Sequence, residues 1–127
     1  MSAATKYLLA PAGSTGNLNP GVTVDAGPAS GAVCFQFVVE AAGATPTITY
    51  KFQGSMDGAN WYDVQYITDT NNTGVATAKT ATAVGGSISY LDAQSGARNY
   101  TKYRLIATLN TNITFRAELY VFSETDI

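Results

Sequence analysis

Four stretches of this chain alternate apolar and polar residues with a period of two, and that period argues for strand over helix wherever it runs. They are residues 32–40, 47–53, 101–109 and 113–122. In the first, Val33, Phe35, Phe37 and Val39 share one face and Cys34, Gln36, Val38 and Glu40 the other. A strand apolar on one face and mixed on the other fits the middle of a sheet. Ile48, Tyr50 and Phe52 alternate with Thr47, Thr49, Lys51 and Gln53. Thr101, Tyr103, Leu105, Ala107 and Leu109 form one face of the third stretch, and Ile113, Phe115, Ala117, Leu119 and Val121 one face of the fourth. The turn residues Asn110-Thr111-Asn112 between them predict an antiparallel hairpin of these two strands, with Lys or Arg across from Glu118 on its outer face. The core is expected to hold Val33, Phe35, Phe37, Ile48, Tyr50, Phe52, Tyr103, Leu105, Phe115 and Leu119.

Turn signals recur at intervals of roughly 8–12 residues, the spacing of sandwiches and barrels. The sequence therefore predicts an all-β chain: an antiparallel β-sandwich, jelly-roll or Ig-like, of eight or nine strands with little helix. At most one helical turn is expected, within residues 92–97. Residues 69–74 read as a polar loop, and Gly85-Gly86 as a tight turn before a short strand at 87–91. A chain of 127 residues is one domain by length and buries roughly two-thirds of its unfolded-chain surface. Residues 1–20 read as an N-terminal arm or edge strand plus loop, and residues 21–127 as a single sandwich domain. Within the first segment, Tyr7, Leu8 and Leu9 give an arm an apolar tip.

The segment Ser55-Met56-Asp57-Gly58-Ala59-Asn60-Trp61-Tyr62-Asp63-Val64 carries the strongest local signal. Asp-Gly between two β-rich runs marks a hairpin that turns 47–53 back into 61–67. Tyr62, Val64 and Tyr66 oppose Trp61, Asp63, Gln65 and Ile67, and aromatics stand on both faces, so alternation leaves the core face open. Trp61, the only tryptophan, has two readings: a plug beside the hairpin, or a platform for a sugar ring.

Chemistry is mostly excluded by what is missing. The chain has no His, which removes Ser-His-Asp and Cys-His arrangements and the commonest metal ligand. Its single Cys34 can close no intramolecular disulfide and reads as a small apolar residue. Asp57, Asp63, Asp69 and Asp92 stand in or near loops without the spacing of a dedicated calcium site. No enzyme activity, metal or cofactor is expected. Basic residues are scattered around a net charge of −2, so no footprint for nucleic acid or a membrane surface is visible. No run is long enough to span a membrane as a helix, and the N-terminus has too short an apolar core for a signal peptide, so synthesis in the cytoplasm is expected. Charged residues make up only 13% of the chain, about half the usual share. Either the surface is covered by copies or a partner, or Thr-rich β surfaces are simply low in charge.

At the hairpin, Gly54 to Val64 resembles two groups: discoidin-like sandwich modules, and small structural proteins of tailed-bacteriophage virions that include capsid decoration (cement) proteins. A related strand is matched by Arg98-Asn99-Tyr100-Thr101-Lys102-Tyr103-Arg104-Leu105. Together the matching parts cover about a quarter of the chain. The terminal cysteine pair of discoidin-like modules is missing. The resemblance implies a virion protein, made in the host cytoplasm, that decorates and stabilises a capsid by binding the major capsid protein lattice. It also implies a homo-oligomer, with a trimer favoured on resemblance alone. The alternatives are a neck, tail or fibre-associated component and a carbohydrate- or receptor-binding module. Candidate interface residues are Tyr7, Leu8, Leu9, Trp61, Tyr62, Tyr66, Tyr120 and Phe122.

Overall fold

The computed structural model describes residues 5–27, 33–64, 66–68, 71–75, 78–91 and 100–121, with backbone alone for 66–68, 71–75 and 88–91. The strands in chain order are β1 (Thr5–Ser14), β2 (Val24–Asp25), β3 (Val33–Ser55), β4 (Tyr62–Asp63), β5 (Tyr66–Thr68), β6 (Asn71–Val75), β7 (Lys79–Ala81), β8 (Gly85–Leu91) and β9 (Lys102–Val121). Every described pairing is antiparallel, and there is no helix among the described residues. The helical turn expected within 92–97 lies outside the described residues.

Two strands dominate. β3 and β9 pair with each other along nearly their whole length, from Val33↔Val121 to Ser55↔Lys102. The expected hairpin of 101–109 with 113–122 is corrected by this register. Both stretches belong to one strand, and each pairs with a different half of β3. Period-two alternation says which residues share a face, but it cannot say which strand lies alongside.

The ribbon is folded in two. Phe52 follows Phe35 by seventeen positions, an extended span of about 56 Å, yet their rings stack at 4.3 Å. Phe37 stacks on Tyr50 at 3.8 Å, and on Phe115 at 5.3 Å. The fold lies where the register breaks. Ala42 pairs with Ile113 and Thr47 with Thr111, so β3 carries extra residues that β9 does not match. Such an excess bends a strand sharply. Thr45, Leu109 and Asn112 take positive φ values there (43°, 55° and 56°). The Asn110 side chain holds the bend by accepting from the Ile113 N–H at 3.0 Å and donating to the Gly16 carbonyl at 2.8 Å. Leu109, expected on the core face, sits on this bend and is 71% exposed.

Folding the ribbon makes the sandwich. One layer runs β1, β9, β3, β8, β5, β6; the other is built on the far halves of β3 and β9, with β2, β4 and β7 alongside. The two layers are thus one hydrogen-bonded sheet, continuous through β3 and β9. All ten residues expected in the core are buried, joined by Leu9, Ala10, Val39, Val64, Ala107, Ile113 and Ala117. Gly85 and Gly86, expected as a tight turn, instead open β8 and pair with Val39 and Val38. Asn71 to Gly74, expected as loop, belongs to β6 and pairs with β5.

Removing the Phe37 ring, 2% exposed and stacked on both sides of the core, should cost about 3–5 kcal/mol. Urea denaturation of Phe37→Ala measures this, and a loss under about 1 kcal/mol would contradict the packing. Tyr103 gives a second test. Burial, then the neighbouring Tyr100, push its hydroxyl up to about 12 from 10.0. The unfolded chain therefore ionises first, so this contribution is intact below pH 10 and lost as pH rises toward 12. The expected loss is roughly 3 kcal/mol for such a gap. Tyr103→Phe should flatten that part of the stability profile between pH 9 and 12; an unchanged profile would refute the assignment.

Candidate functional site

The hairpin after β3 is built by its own side chains. Ser55 is fully buried, and its Oγ accepts from the Gly58 and Asp57 N–H groups at 2.8 and 3.2 Å. Asp57 Oδ1 accepts the Ala59 and Asn60 N–H groups, both at 2.9 Å, and Oδ2 accepts the Asn60 amide at 2.9 Å. Chiefly the Asn60 N–H, then that of Ala59, hold the Asp57 carboxyl well below the usual carboxylate range. Gly58 takes φ 79°, where a side chain would be strained. Thr101 ties the loop to the chain entering β9, its N–H on the Ser55 carbonyl and its hydroxyl on that of Met56. The Ser-x-Asp-Gly pattern thus spends its polar atoms on the turn itself. It makes a rigid loop, with no carboxylate oxygen of Asp57 left idle.

The turn also sets which way the following residues face. The pairs Gln53↔Asp63 and Gly54↔Tyr62 fix the register. Val64 then enters the core at 1% exposed. Tyr62 points to the same side but lies past the end of the core, 51% exposed. It stacks on Tyr100 at 6.4 Å. Tyr100 in turn covers Gly54, where an added Cβ would lie 2.5 Å from the ring. Trp61 and Asp63 take the outer face. Trp61 therefore does not plug the core.

On that outer face a row of side chains crosses three strands. Arg104 of β9 lies with its guanidinium carbon 4.1 Å from the Trp61 ring centroid. Its Nε donates to Gln53 Oε1 at 2.8 Å. Gln53 Nε2 donates to Asp63 Oδ1 at 3.0 Å. Lys51 Nζ stands 3.1 Å from the same carboxylate. Partial burial pushes the Asp63 carboxyl up, and the bonds from Gln53 and Lys51 more than reverse it, leaving it below its ordinary value. The Trp61 indole N–H is held by the Gly58 carbonyl at 3.2 Å. The row is pre-positioned, with Trp and Arg as its two large members. These types dominate the energetic centres of protein interfaces.

The other expected interface residues lie apart from this row. Leu9 is a correction: it is 1% exposed and belongs to the core, because pairing of β1 with β9 puts it on the same inward face as Tyr7, and the bulge after Leu8 brings Ala10 inward as well. Tyr7 packs against the core cluster. Residues 5–14 form strand β1 against β9 within the chain, so of the two readings the edge strand is the one seen. Leu8, 52% exposed, and half-buried Tyr120 lie on the outer face of the other layer. The Tyr66 side chain and Phe122 lie outside the described residues. Among the described candidates, Trp61 stands on one outer face and Leu8 and Tyr120 on the opposite one, and Trp61 belongs to a row joined by polar contacts.

That second face holds what alternation missed. Glu118 stands in the outward register yet is 1% exposed, bonded to Arg116 on the same strand. Arg116 also reaches Glu40 at 3.8 Å, and Glu40 accepts the Gly13 N–H at 2.8 Å. The expected partner of Glu118 was a residue across the strands; the partner seen is two residues along. This network clamps β1 to β3 and β9. Among the described residues, concavities lie elsewhere: one of about 380 Å³ at the bend beside Gly43 and Asn112, and one of about 500 Å³ between residues 79–87 and Tyr50.

No protein-family model matches the chain, and no curated protein matches it. Among solved structures, the crystal structure of the SPBc2 prophage-derived protein YomS superposes with a TM-score of 0.62. The match covers 94% of this chain and 93% of that one at 11% identity, a likeness of fold. The crystal structure of the Yersinia pseudotuberculosis-derived mitogen aligns at a TM-score of 0.26 and 7% identity, covering 98% of this chain and 89% of that one. A superposition that loose bears on nothing here.

Asp57→Ala should strip exchange protection from the Ala59 and Asn60 amides, while Asp57→Asn, which keeps an acceptor oxygen, should retain part of it. Because the folded carboxyl titrates below 3.8, protection should persist at pH 4 and be lost only as pH falls further. Amide hydrogen exchange followed by NMR checks this; equal protection in all three proteins would show that the loop does not rest on Asp57.

Proposed function

We propose that this chain is a structural protein of a tailed-phage virion, and in the first place a decoration protein that binds a capsid lattice. The observation that carries the reading is the fold, shared along nearly the full length of both chains with a prophage-derived protein. The hairpin that prompted the resemblance to decoration proteins supports it further, because its polar atoms are used to hold a rigid loop. A doubled ribbon with one continuous sheet offers two firm outer faces, which suits a component added in many copies to a symmetric shell. There each copy needs only a modest contact, since binding is repeated.

In this reading the protein is not an enzyme, takes no cofactor, and reaches the virion after synthesis in the host cytoplasm. Its partner is the major capsid protein. Self-association accompanies this role, with a trimer drawn from the resemblance alone. A carbohydrate-binding module is the second reading. It is favoured by one observation, that Trp61 stands on the outer face and not in the core.

Co-sedimentation with expanded and mature shells of the phage that carries the gene tests the first reading, and light scattering of the free protein tests self-association. Saturable binding to shells is expected. A protein that ignores both shell forms while binding a glycan would leave the second reading in its place.

A further inference from the structure

Arg104 differs from the other cations whose ion pairs are seen. Lys51 is matched to Asp63, Lys102 to Asp25, and Arg116 to Glu40 and Glu118. Arg104 has no carboxylate partner among the described residues. Its neighbours hold it without neutralising it. Asp63 accepts from the Gln53 amide nitrogen, which turns the Gln53 carbonyl toward β9, where it takes the Arg104 Nε–H. The indole of Trp61 supports the guanidinium plane at 4.1 Å. An arginine carries five N–H donors in a rigid fork. One is used by Gln53, and the four on the Nη atoms have no protein partner among the described residues.

We propose that this fork receives a carboxylate from an acidic side chain of a partner protein, which makes the Trp61–Arg104 row the docking surface. The inference rests on the virion reading above and names the chemistry of its contact. Charge complementarity decides the occupant. A guanidinium held in place by an amide and an aromatic ring, and lacking an anion, is matched by a carboxylate in a two-point contact. Little side-chain entropy remains to be lost when that contact forms. A sugar is the weaker occupant, because Arg104 already covers a face of the Trp61 ring that a pyranose would need. Neither concavity includes this row. An extended sheet face fits a protein surface better than a small ligand, which is usually enclosed.

The test is co-sedimentation of wild type, R104Q, R104K and W61F with shells of the phage that carries the gene, at low and high salt. Circular dichroism and thermal midpoints confirm that each variant is folded. R104Q should weaken binding by at least about tenfold. R104K should recover little of it, since an ammonium lacks the fork, and the wild type should bind less tightly as salt rises. In a second arm, glucuronate and N-acetylneuraminate oligosaccharides are titrated while fluorescence is read from Trp61, the sole tryptophan. Wild-type binding to shells that R104Q and R104K leave unchanged would overturn this inference and spare the virion reading. Failure of the wild type to bind any shell would overturn both. Saturable quenching by an acidic oligosaccharide, lost in R104Q, would reassign the site to glycans and overturn the protein partner.

Discussion

The stacking of Phe35 on Phe52 and of Phe37 on Tyr50 is the contact on which the rest depends. These rings come from two halves of one strand. They can meet only if the strand is bent back on itself, and β9 must bend with it because the two are paired from end to end. The bend is therefore shared by the ribbon. Unmatched residues on β3, positive φ at Leu109 and Asn112, and the bonds of Asn110 supply it locally. Stacked aromatic pairs add about 0.5–1.5 kcal/mol each beyond the area they bury. They also join the two layers, since each of these two pairs takes one ring from each half of β3.

The doubled ribbon also creates the outer surface. Because β4 is registered on the end of β3, Asp63 and Trp61 are brought beside Gln53, and β9 adds Arg104 on the other side. None of these residues is adjacent in sequence to all the others. The row exists because a rigid loop, closed by Ser55 and Asp57, delivers Trp61 at a fixed angle. The loop is thus a support for that surface. On the opposite face, the buried Glu118 with Arg116 and Glu40 serves the edge strand in a similar way. Burying the Glu118 carboxylate costs desolvation, which its bond to the partly exposed Arg116 offsets.

Much of this was legible beforehand and some was not, for definite reasons. Side-chain alternation identified all ten expected core residues, since it reports facing and facing is local. Partner choice is not local, and the expected hairpin of 101–109 with 113–122 gave way to pairing with β3. Leu109 followed the alternation but lies on the bend, and Glu118 broke with polarity but is paired. Leu9 lies inward with Tyr7 because residues 5–14 pair with β9, and a short apolar run does not report which strand it will pair with. Gly85 and Gly86 carry turn chemistry, yet β3 recruits their backbone as strand.

The amino-acid sequence by itself determined the all-β class, the inward faces of the main strands and the self-capped hairpin. Each of these follows from period-two patterning or from side chains bonding to backbone a few residues away. Only the tertiary structure decided that β3 and β9 are one folded ribbon, that Trp61 faces outward, and that Arg104 is held by Gln53 and an indole without a carboxylate. Those outcomes turn on which distant strands pair and in what register, a choice made by the packing of the whole core and written in no single segment.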